Sequence, residues 1–279
     1  MDQSEKYERF KALHSGDGAF VIPNPWDVGS AKILDHMGFE ALATTSAGYA
    51  FTKGKRASHA TLDRAEILKN AAEIVAATNL PVSADLEEGF GADPQACAET
   101  IKLAADMGLV GGSIEDATGD PDAPIFEFSM AVSRIEAAAD AARDLPFLLT
   151  ARAENHIWGR PNLDDTIRRL QAYSEAGADV LYAPGLPDLK AIKTVCDALD
   201  KPVNVLMGIG GNRYSVAELS EAGVARVSVG GSMARAAWGA FMRAAEEVKT
   251  KGTFDYADDT VPDQEIGSLM QKTAPSMRG

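Results

Sequence analysis

The chain of 279 residues is acidic, with a formal net charge of −14 and a sequence pI of about 4.7. Hydrophobic residues make up 46% and charged residues 24%, which is typical of a soluble globular protein. Neither a basic stripe nor an RNP-type aromatic motif occurs, which argues against a nucleic-acid partner. The polar N-terminus and the lack of a long apolar segment predict neither a signal peptide nor a membrane span. Because Cys97 and Cys196 lack CxxC spacing, we expect reduced thiols and a cytoplasmic location.

Eight short apolar segments alternate with amphipathic helical patterns along the chain. Strands are predicted at residues 20–23, 41–44, 82–85, 111–114, 147–151, 180–182, 203–206 and 226–229. Helices are predicted after them at residues 28–37, 63–78, 94–107, 130–144, 163–176, 187–199, 216–221 and 232–251. The strand segments are short and apolar, which is typical of a parallel sheet that is covered by helices.

Glycine residues punctuate this pattern. Four predicted helices are followed, directly before a strand, by a glycine that can form the left-handed cap, namely Gly38, Gly108, Gly177 and Gly223. Eight strand–helix units in this length predict an α/β fold of the (β/α)8 barrel type, with residues 1–279 as a single domain. A doubly wound open sheet is the alternative, although no Gly-rich dinucleotide fingerprint follows the first strand. We expect residues 252–279 to form a helical extension that packs on the barrel or on a partner subunit.

Carboxylates stand where the third and fourth predicted strands end. Asp85 and Glu87 are two residues apart on an extended segment, so their side chains share one face. Glu115 ends the next strand, and in this fold chemistry takes place at the carboxyl ends of the strands. Acids gathered in this way repel one another unless a positive charge lies among them. Because hard oxygen ligands suit Mg²⁺ better than Zn²⁺, the sequence predicts a magnesium site and an enzyme that handles an oxyanion.

Other polar residues are predicted at the same rim. Arg152 follows the fifth strand and is expected to bind a substrate carboxylate, with pairing to Glu115 or Asp85 as the alternative. The small segment 46–48 after the second strand could present backbone N–H groups to an anion. Gly-rich loops at residues 207–212 and 229–232 are either phosphate-binding loops or tight turns between strand and helix.

Together these segments resemble the isocitrate lyase/phosphoenolpyruvate mutase superfamily over nearly the whole chain. The resemblance is carried by residues 24–27, 44–48, 85–91, 114–116 and 150–152. It implies a (β/α)8 barrel whose last helix is exchanged between subunits, and hence a homodimer or homotetramer. It also implies a bound Mg²⁺, with Mn²⁺ as a substitute, that is chelated by a 2-oxo acid, and reactions that pass through a pyruvate-like enolate.

The resemblance also assigns roles to individual residues. Asp85 would be the direct metal ligand, and Glu87 and Glu115 would hold metal-bound water molecules. The substrate carboxylate would be bound by a set of groups beside the metal, namely the side chain of Ser46, the amides of Ala47 and Gly48, and Arg152. Asn204 matches a polar position that lines the substrate site at the end of the seventh strand.

The chain departs from the superfamily pattern in two loops. The loop at residues 116–124 contains no Cys or His, whereas the lyase branch carries a Cys as general acid there, so isocitrate and methylisocitrate cleavage are disfavoured. The loop at residues 54–60 lacks the Asp that the mutase and hydrolase branch uses. His59 could replace that Asp as an acid or base, and it is therefore a candidate catalytic residue beside Arg152 and Ser46.

Three functions remain open on this basis. The first is an Mg²⁺-dependent lyase or decarboxylase that acts on a small 2-oxo dicarboxylate such as oxaloacetate. The second is C–P bond chemistry on phosphonopyruvate or a related carboxyphosphonoenolpyruvate-type substrate, by a mutase or a hydrolase. The third is a 2-oxo acid binding protein with little turnover. If the resemblance is left aside, a fourth possible function is a phosphosugar or cofactor-phosphate enzyme, which the Gly-rich loops alone suggest.

Overall fold

A single eight-stranded parallel sheet forms the centre of the protein. The computed structural model describes residues 1–56 and 61–271. The strands are β1 (Phe20–Ile22), β2 (Leu42–Ala43), β3 (Val82–Asp85), β4 (Gly111–Glu115), β5 (Leu148–Arg152), β6 (Val180–Tyr182), β7 (Val203–Leu206) and β8 (Arg226–Ser228). They pair in the order β1-β8-β7-β6-β5-β4-β3-β2. Between the two end strands, the amide of Ala43 donates to the carbonyl of Pro23 at 3.1 Å, so the sheet curls into a nearly closed barrel. The predicted (β/α)8 fold is confirmed.

Eleven α-helices surround the strands within the described residues. They are α1 (Gln3–Leu13), α2 (Val28–His36), α3 (Ser46–Thr52), α4 (Arg64–Ala77), α5 (Pro94–Asp106), α6 (Phe128–Ala142), α7 (Leu163–Glu175), α8 (Leu189–Asp197), α9 (Val216–Glu221), α10 (Ser232–Lys251) and α11 (Asp263–Met270). A 3-10 helix spans Asp255–Asp259. Each of the eight helices predicted between and after the strands is present, with ends that differ from the prediction by at most a few residues. The predicted cap glycines behave as expected, since Gly38 and Gly108 have φ values of 86° and 85°.

Helix α1 closes the end of the barrel at which the strands begin. Its N-terminus carries a capping box, in which Asp2 and Glu5 accept each other's backbone N–H. Phe10 is fully buried and packs in a cluster with residues at or just before the starts of four strands, namely Phe20, Ala41, Val110 and Leu148. The helix therefore separates this end of the barrel from solvent, and a ligand has to enter from the opposite end.

The tail returns to the barrel of its own chain. Helix α11 packs beside α2, where Lys32 Nζ donates to the carbonyl of Met270. This places residues 263–270 on the barrel, which is one of the two positions predicted for the tail. Residues 272–279 lie outside the described part of the chain. No helix among the described residues is both long enough and apolar enough to cross a membrane.

Asn24 links β1 and β2, the two end strands of the sheet, which do not pair along their length. Its Nδ2 donates to the carbonyl of Thr44 beyond β2 at 3.0 Å, and its Oδ1 accepts the amides of Val229 and Gly230 beyond β8, both at 2.8 Å. Asn24 is only 5% exposed, so water cannot easily replace it. One amide side chain therefore connects the ends of β1, β2 and β8.

We expect Asn24→Ala to lower the free energy of unfolding by about 3 kcal/mol or more, because it removes three hydrogen bonds and leaves one buried and two partly buried backbone groups unpaired. Urea denaturation at neutral pH measures the change. Asn212→Ala is the matched control, since the exposed Asn212 donates a single bond to the carbonyl of Pro187 and should cost below about 1 kcal/mol. Equal losses in the two variants would contradict the role of Asn24 in closing the barrel.

Candidate active site

A cavity of about 420 Å³ opens at the carboxyl ends of the strands. Seven of the predicted site residues line it, namely Ser46, Ala47, Asp85, Glu87, Glu115, Arg152 and Asn204. Gly48 lies just behind the cavity wall and is buried. His59 falls outside the described residues, so its predicted role stays a prediction. The polar residues that the sequence placed at separate strand ends thus meet in one cavity.

Arg152 lies at the centre of the carboxylates. Its Nη1 is 3.0 Å from Asp85 Oδ1, and its Nη2 is 3.0 Å from Glu115 Oε2. Its Nε and Nη2 both contact Glu154 Oε1, at 2.9 and 2.8 Å. The structure therefore shows the pairing with Asp85 and Glu115 that the sequence left as an alternative. Binding of a substrate carboxylate by Arg152 stays a prediction.

Glu154 is a member of this cluster that the sequence analysis did not single out. It is 1% exposed, and its backbone N–H donates to Asp116 Oδ1 at 2.8 Å. Asp116 is itself held by the hydroxyl of Tyr173 at 2.7 Å and by Arg169 at 3.2 Å. An acid two residues after Arg152, just beyond the end of β5, was the available signal, because alternate residues of an extended segment share a face. Glu154 fixes the orientation of the Arg152 guanidinium.

The segment 46–48 forms the first turn of α3 rather than an open loop. Thr45 caps this helix and accepts the amide of Gly48 at 3.2 Å, so that amide already has a partner. A Cβ at position 48 would lie 2.7 Å from Thr45 Cγ2 and 3.0 Å from Trp26 Cβ, which shows that the glycine permits close packing. The hydroxyl of Ser46 donates to Asp85 Oδ2 at 2.8 Å. Ser46 therefore orients the expected metal ligand.

The loop after β3 holds Glu87 in a left-handed backbone conformation. Its φ is 50°, and Phe90 has a φ of 61°, which is uncommon for residues other than glycine. Arg134 of α6 stabilises this turn, because its guanidinium donates to the carbonyls of Glu88 and Gly91. Arg134 is 1% exposed and stacks 4.2 Å from the centre of the Phe126 ring. Arg134 was not among the predicted site residues, although a charged residue on the apolar face of a helix was the signal.

The acids of the cavity carry more negative charge than Arg152 balances. Burial, and then the negative charge of Asp85, raise the pKa of Glu87 to about 7. Burial raises the pKa of Glu115 well above its ordinary value despite Arg152, with Glu154 adding to the effect. Burial also raises the pKa of Glu154. A further cation at this position would relieve the repulsion.

The residues present fit a magnesium ion. Among residues 1–56 and 61–271, no three His, Cys, Asp or Glu side chains converge closely enough to hold one metal ion directly. Mg²⁺ does not require such a group, because it commonly keeps several water molecules and takes one or two carboxylates. The oxygen donors and the excess negative charge match this chemistry. Magnesium binding by Asp85, with Glu87 and Glu115 acting through water, stays a prediction.

In the Gly-rich loop after β8, the N–H groups of Val229, Gly230 and Ser232 are already hydrogen-bonded. The amides of Val229 and Gly230 both donate to Asn24, so the loop after β8 has two of its N–H groups occupied. In the loop after β7, the carbonyl of Ile209 accepts a bond from Arg235 of α10. These contacts favour the alternative interpretation, in which the glycines form tight turns between strand and helix.

The floor of the cavity carries a second buried arginine, Arg226, at the start of β8. Its Nε donates to Asn204 Oδ1 at 2.8 Å, and its Nη2 donates to Thr150 Oγ1 at 3.0 Å. Its Nη1 is 3.2 Å from Nε2 of His14, whose Nδ1 lies 2.8 Å from the carbonyl of Phe10. This geometry requires a neutral His14 that donates through Nδ1 and accepts through Nε2. Burial, and then the charge of Arg226, lower the pKa of His14 to about 3.

We expect His14 to make the folded protein less stable in mild acid. Unfolded histidine takes up a proton below about pH 6.5, whereas the folded side chain resists protonation down to about pH 3. Stability is therefore complete above pH 6.5 and falls by up to about 1.4 kcal/mol per pH unit below it. Urea denaturation from pH 7 to pH 4 should show a shallower decline for His14→Gln. The exposed His36→Gln should follow the wild type, and a His14→Gln profile parallel to the wild type would contradict the account.

Comparison with known proteins identifies the family of this chain. A family model described as phosphoenolpyruvate phosphomutase matches residues 10–249. The chain belongs to this family. It is thereby an enzyme of the phosphoenolpyruvate mutase/isocitrate lyase superfamily, which contains lyases and mutases, and the predicted resemblance is confirmed.

Three proteins are similar to this chain over most of its length. A crystal structure of a Burkholderia cenocepacia J2315 protein, provisionally described as a lyase/mutase, is 56% identical, with a TM-score of 0.94, and the match covers 98% of this chain and 97% of the other. An uncharacterized protein of Mycobacterium tuberculosis is 33% identical over 79% of this chain and 81% of its own length. The 2-methylisocitrate lyase of Escherichia coli K12 is 28% identical over 70% of this chain and 67% of its own length.

Proposed function

We propose that this enzyme is an Mg²⁺-dependent lyase that breaks a carbon–carbon bond of a small 2-oxo dicarboxylate, by cleavage or decarboxylation. The observation that carries the proposal is the excess of buried carboxylates around a single arginine at the rim of the cavity. Such a cluster suits a hard divalent cation, and a 2-oxo acid offers that cation two oxygens to chelate. The relation to a 2-methylisocitrate lyase supports the choice of a lyase.

Each residue of the cluster has a role in this proposal. Asp85 would hold Mg²⁺ directly, and Glu87 and Glu115 would hold its water molecules. When bound, the ion would supply a Lewis acid that stabilises the enolate left when the carbon–carbon bond breaks. The guanidinium of Arg152, which Glu154 orients, would bind the carboxylate next to the 2-oxo group, and the hydroxyl of Ser46 would keep Asp85 in position.

The loop after β4, residues 116–124, contains no cysteine that could act as a general acid. Its residues Ala117 and Ile125 pair as an isolated bridge, and Thr118 Oγ1 donates to the carbonyl of Ala123, so the loop folds on itself. Carbon–carbon cleavage then needs a proton from water or from residues 57–60, where His59 is the candidate. A decarboxylation of oxaloacetate is the simplest reaction that this set of groups supports, because protonation of the enolate by water completes it.

C–P bond chemistry is the second candidate, because the family model is that of a phosphomutase. One assay separates the two candidates. The protein is incubated with 5 mM Mg²⁺ and either oxaloacetate or phosphonopyruvate, and products are followed by ¹H and ³¹P NMR. We expect pyruvate from oxaloacetate faster than the uncatalysed decay, and no phosphate from phosphonopyruvate. Inorganic phosphate, or the phosphate-ester isomer of phosphonopyruvate, together with oxaloacetate decay no faster than the uncatalysed rate would overturn the proposed lyase in favour of the mutase or hydrolase.

We also propose that the protein forms a homodimer or homotetramer through α10. This helix exposes a run of large apolar side chains, with Trp238, Phe241 and Met242 exposed by 40%, 63% and 67%. A second copy that receives α10 by helix exchange would cover them. Light scattering after size-exclusion chromatography tests this proposal, and we expect Phe241→Asp to shift the protein toward the monomer.

A further inference from the structure

Arg226 is a buried cation without a carboxylate partner. The side chain is 5% exposed, and its three contacts within the described residues are with neutral acceptors, namely Asn204, Thr150 and His14. Burial lowers the pKa of its guanidinium to about 10, so the group remains charged at neutral pH. A buried charge whose hydrogen bonds are made only to neutral groups is costly, because those bonds do not balance the charge.

The guanidinium retains donors that these contacts do not use. An arginine side chain carries five N–H groups, and each of the three contacts takes one, from Nε, Nη1 and Nη2. One N–H on each Nη therefore has no acceptor among residues 1–56 and 61–271. One free N–H on each Nη gives the guanidinium two donors for the oxygens of a carboxylate.

Arg226 faces the same cavity as the acidic cluster. The 420 Å³ space is lined by Asp85 and Glu115 at the rim and by Arg226 and Asn204 at the floor. Asn204 is 1% exposed, and its Nδ2 donates to Ser228 Oγ at 3.0 Å while its Oδ1 accepts from Arg226. The cavity is thus negative at one end and positive at the other. At the positive end, neutral side chains hold Arg226 in place.

We propose that Arg226 and Asn204 form an anion-binding subsite that receives the second carboxylate of a dicarboxylate ligand. The first carboxylate of the ligand and the oxygen next to it would bind at the rim. Which carboxylate binds at which end of the cavity therefore rests on the proposed function. The subsite makes the protein select dianions over monoanions of the same chemistry. Arg226 is thereby a specificity-determining residue.

Binding of two unreactive 2-hydroxy acids tests the subsite without turnover. Malate and lactate share the carboxylate and the adjacent hydroxyl, but only malate has a second carboxylate. Their dissociation constants are measured by calorimetry with 5 mM Mg²⁺ on the wild type, Arg226→Met and Arg226→Lys. We expect the wild type to bind malate at least tenfold more tightly than lactate. Arg226→Met should weaken malate binding tenfold or more and change lactate binding less than threefold.

Arg226→Lys and His14→Gln separate charge from structure. The lysine retains the positive charge, so its preference for malate should lie between those of the wild type and Arg226→Met. His14→Gln leaves the guanidinium in place and should retain the full preference. Equal binding of malate and lactate by the wild type, or an equal loss of both ligands in the Arg226 variants, would overturn the subsite. Because no turnover is measured, an inactive enzyme that still prefers malate would reject the proposed reaction and leave the subsite supported.

Discussion

Asp85→Ala is expected to lower kcat/KM on the substrate by about a thousandfold or more at saturating Mg²⁺. The reason is that Asp85 is the proposed direct metal ligand, and a bound Lewis acid contributes several kcal/mol to a transition state that carries an enolate. The fold should persist, since the substitution removes one carboxylate from a crowded negative cluster. The free energy of unfolding should stay within about 1 kcal/mol of the wild type. Steady-state kinetics and urea denaturation measure the two quantities.

Two comparison variants sharpen this prediction. Asp85→Asn retains a group that can bond to Ser46 and Arg152 but removes the charge, and it should be nearly as inactive as Asp85→Ala. Asp120→Asn alters an exposed acid in the loop after β4 and should leave kcat/KM within about twofold. Turnover by Asp85→Ala at more than a tenth of the wild-type rate would contradict the assignment of Asp85 as the metal ligand.

Arg152→Met is expected to lower the free energy of unfolding by about 3–5 kcal/mol in the presence of EDTA. The substitution leaves Asp85, Glu115 and Glu154 close together without their shared cation. Removal of one partner from a buried ion pair commonly costs about 3–5 kcal/mol. Millimolar Mg²⁺ should restore part of the loss, because the ion binds the same acids. Urea denaturation with EDTA and with Mg²⁺ measures both effects.

Arg152→Lys distinguishes charge from geometry. Lysine retains the positive charge and should lose less than half of the stability that methionine loses, whereas KM should rise about tenfold to a hundredfold because the planar fork is absent. Arg168→Met is the control, since its ion pair with Asp165 lies on the surface with Arg168 62% exposed, and such pairs contribute below about 1 kcal/mol. A similar loss for Arg168→Met and Arg152→Met would contradict the central position of Arg152.

The barrel could be predicted because its signals are local. Short apolar strands and amphipathic helices alternate eight times, and cap glycines such as Gly38 mark the ends of four of the helices. Helix α1 was missed because few of its side chains are buried, although the capping box of Asp2 and Glu5 marks its start. Helix α3 was missed because the small residues at 46–48 suggested an open loop, while the Thr45 cap makes them a helical turn.

The candidate site could be predicted only in part. Asp85, Glu115 and Arg152 end neighbouring strands, so the fold brings them together once the strands are correct. The partners of Arg152 depend on side-chain geometry. The sequence alone therefore does not decide whether Arg152 pairs with acids of the protein or binds a substrate carboxylate. Arg134 and Arg226 were not found, because both lie in segments that read as ordinary helix and strand, and their importance follows from long-range contacts.

Binding of Mn²⁺ shows whether a divalent cation belongs among the rim carboxylates. Equilibrium dialysis or electron paramagnetic resonance is carried out with EDTA-treated protein, Mn²⁺ up to 2 mM, and Mg²⁺ as the competitor. We predict about one Mn²⁺ per chain, displacement by Mg²⁺, and loss of binding in Asp85→Ala but not in Asp120→Asn. Wild-type protein that binds no Mn²⁺ at 2 mM, or Asp85→Ala that binds it as well as the wild type, would contradict the account.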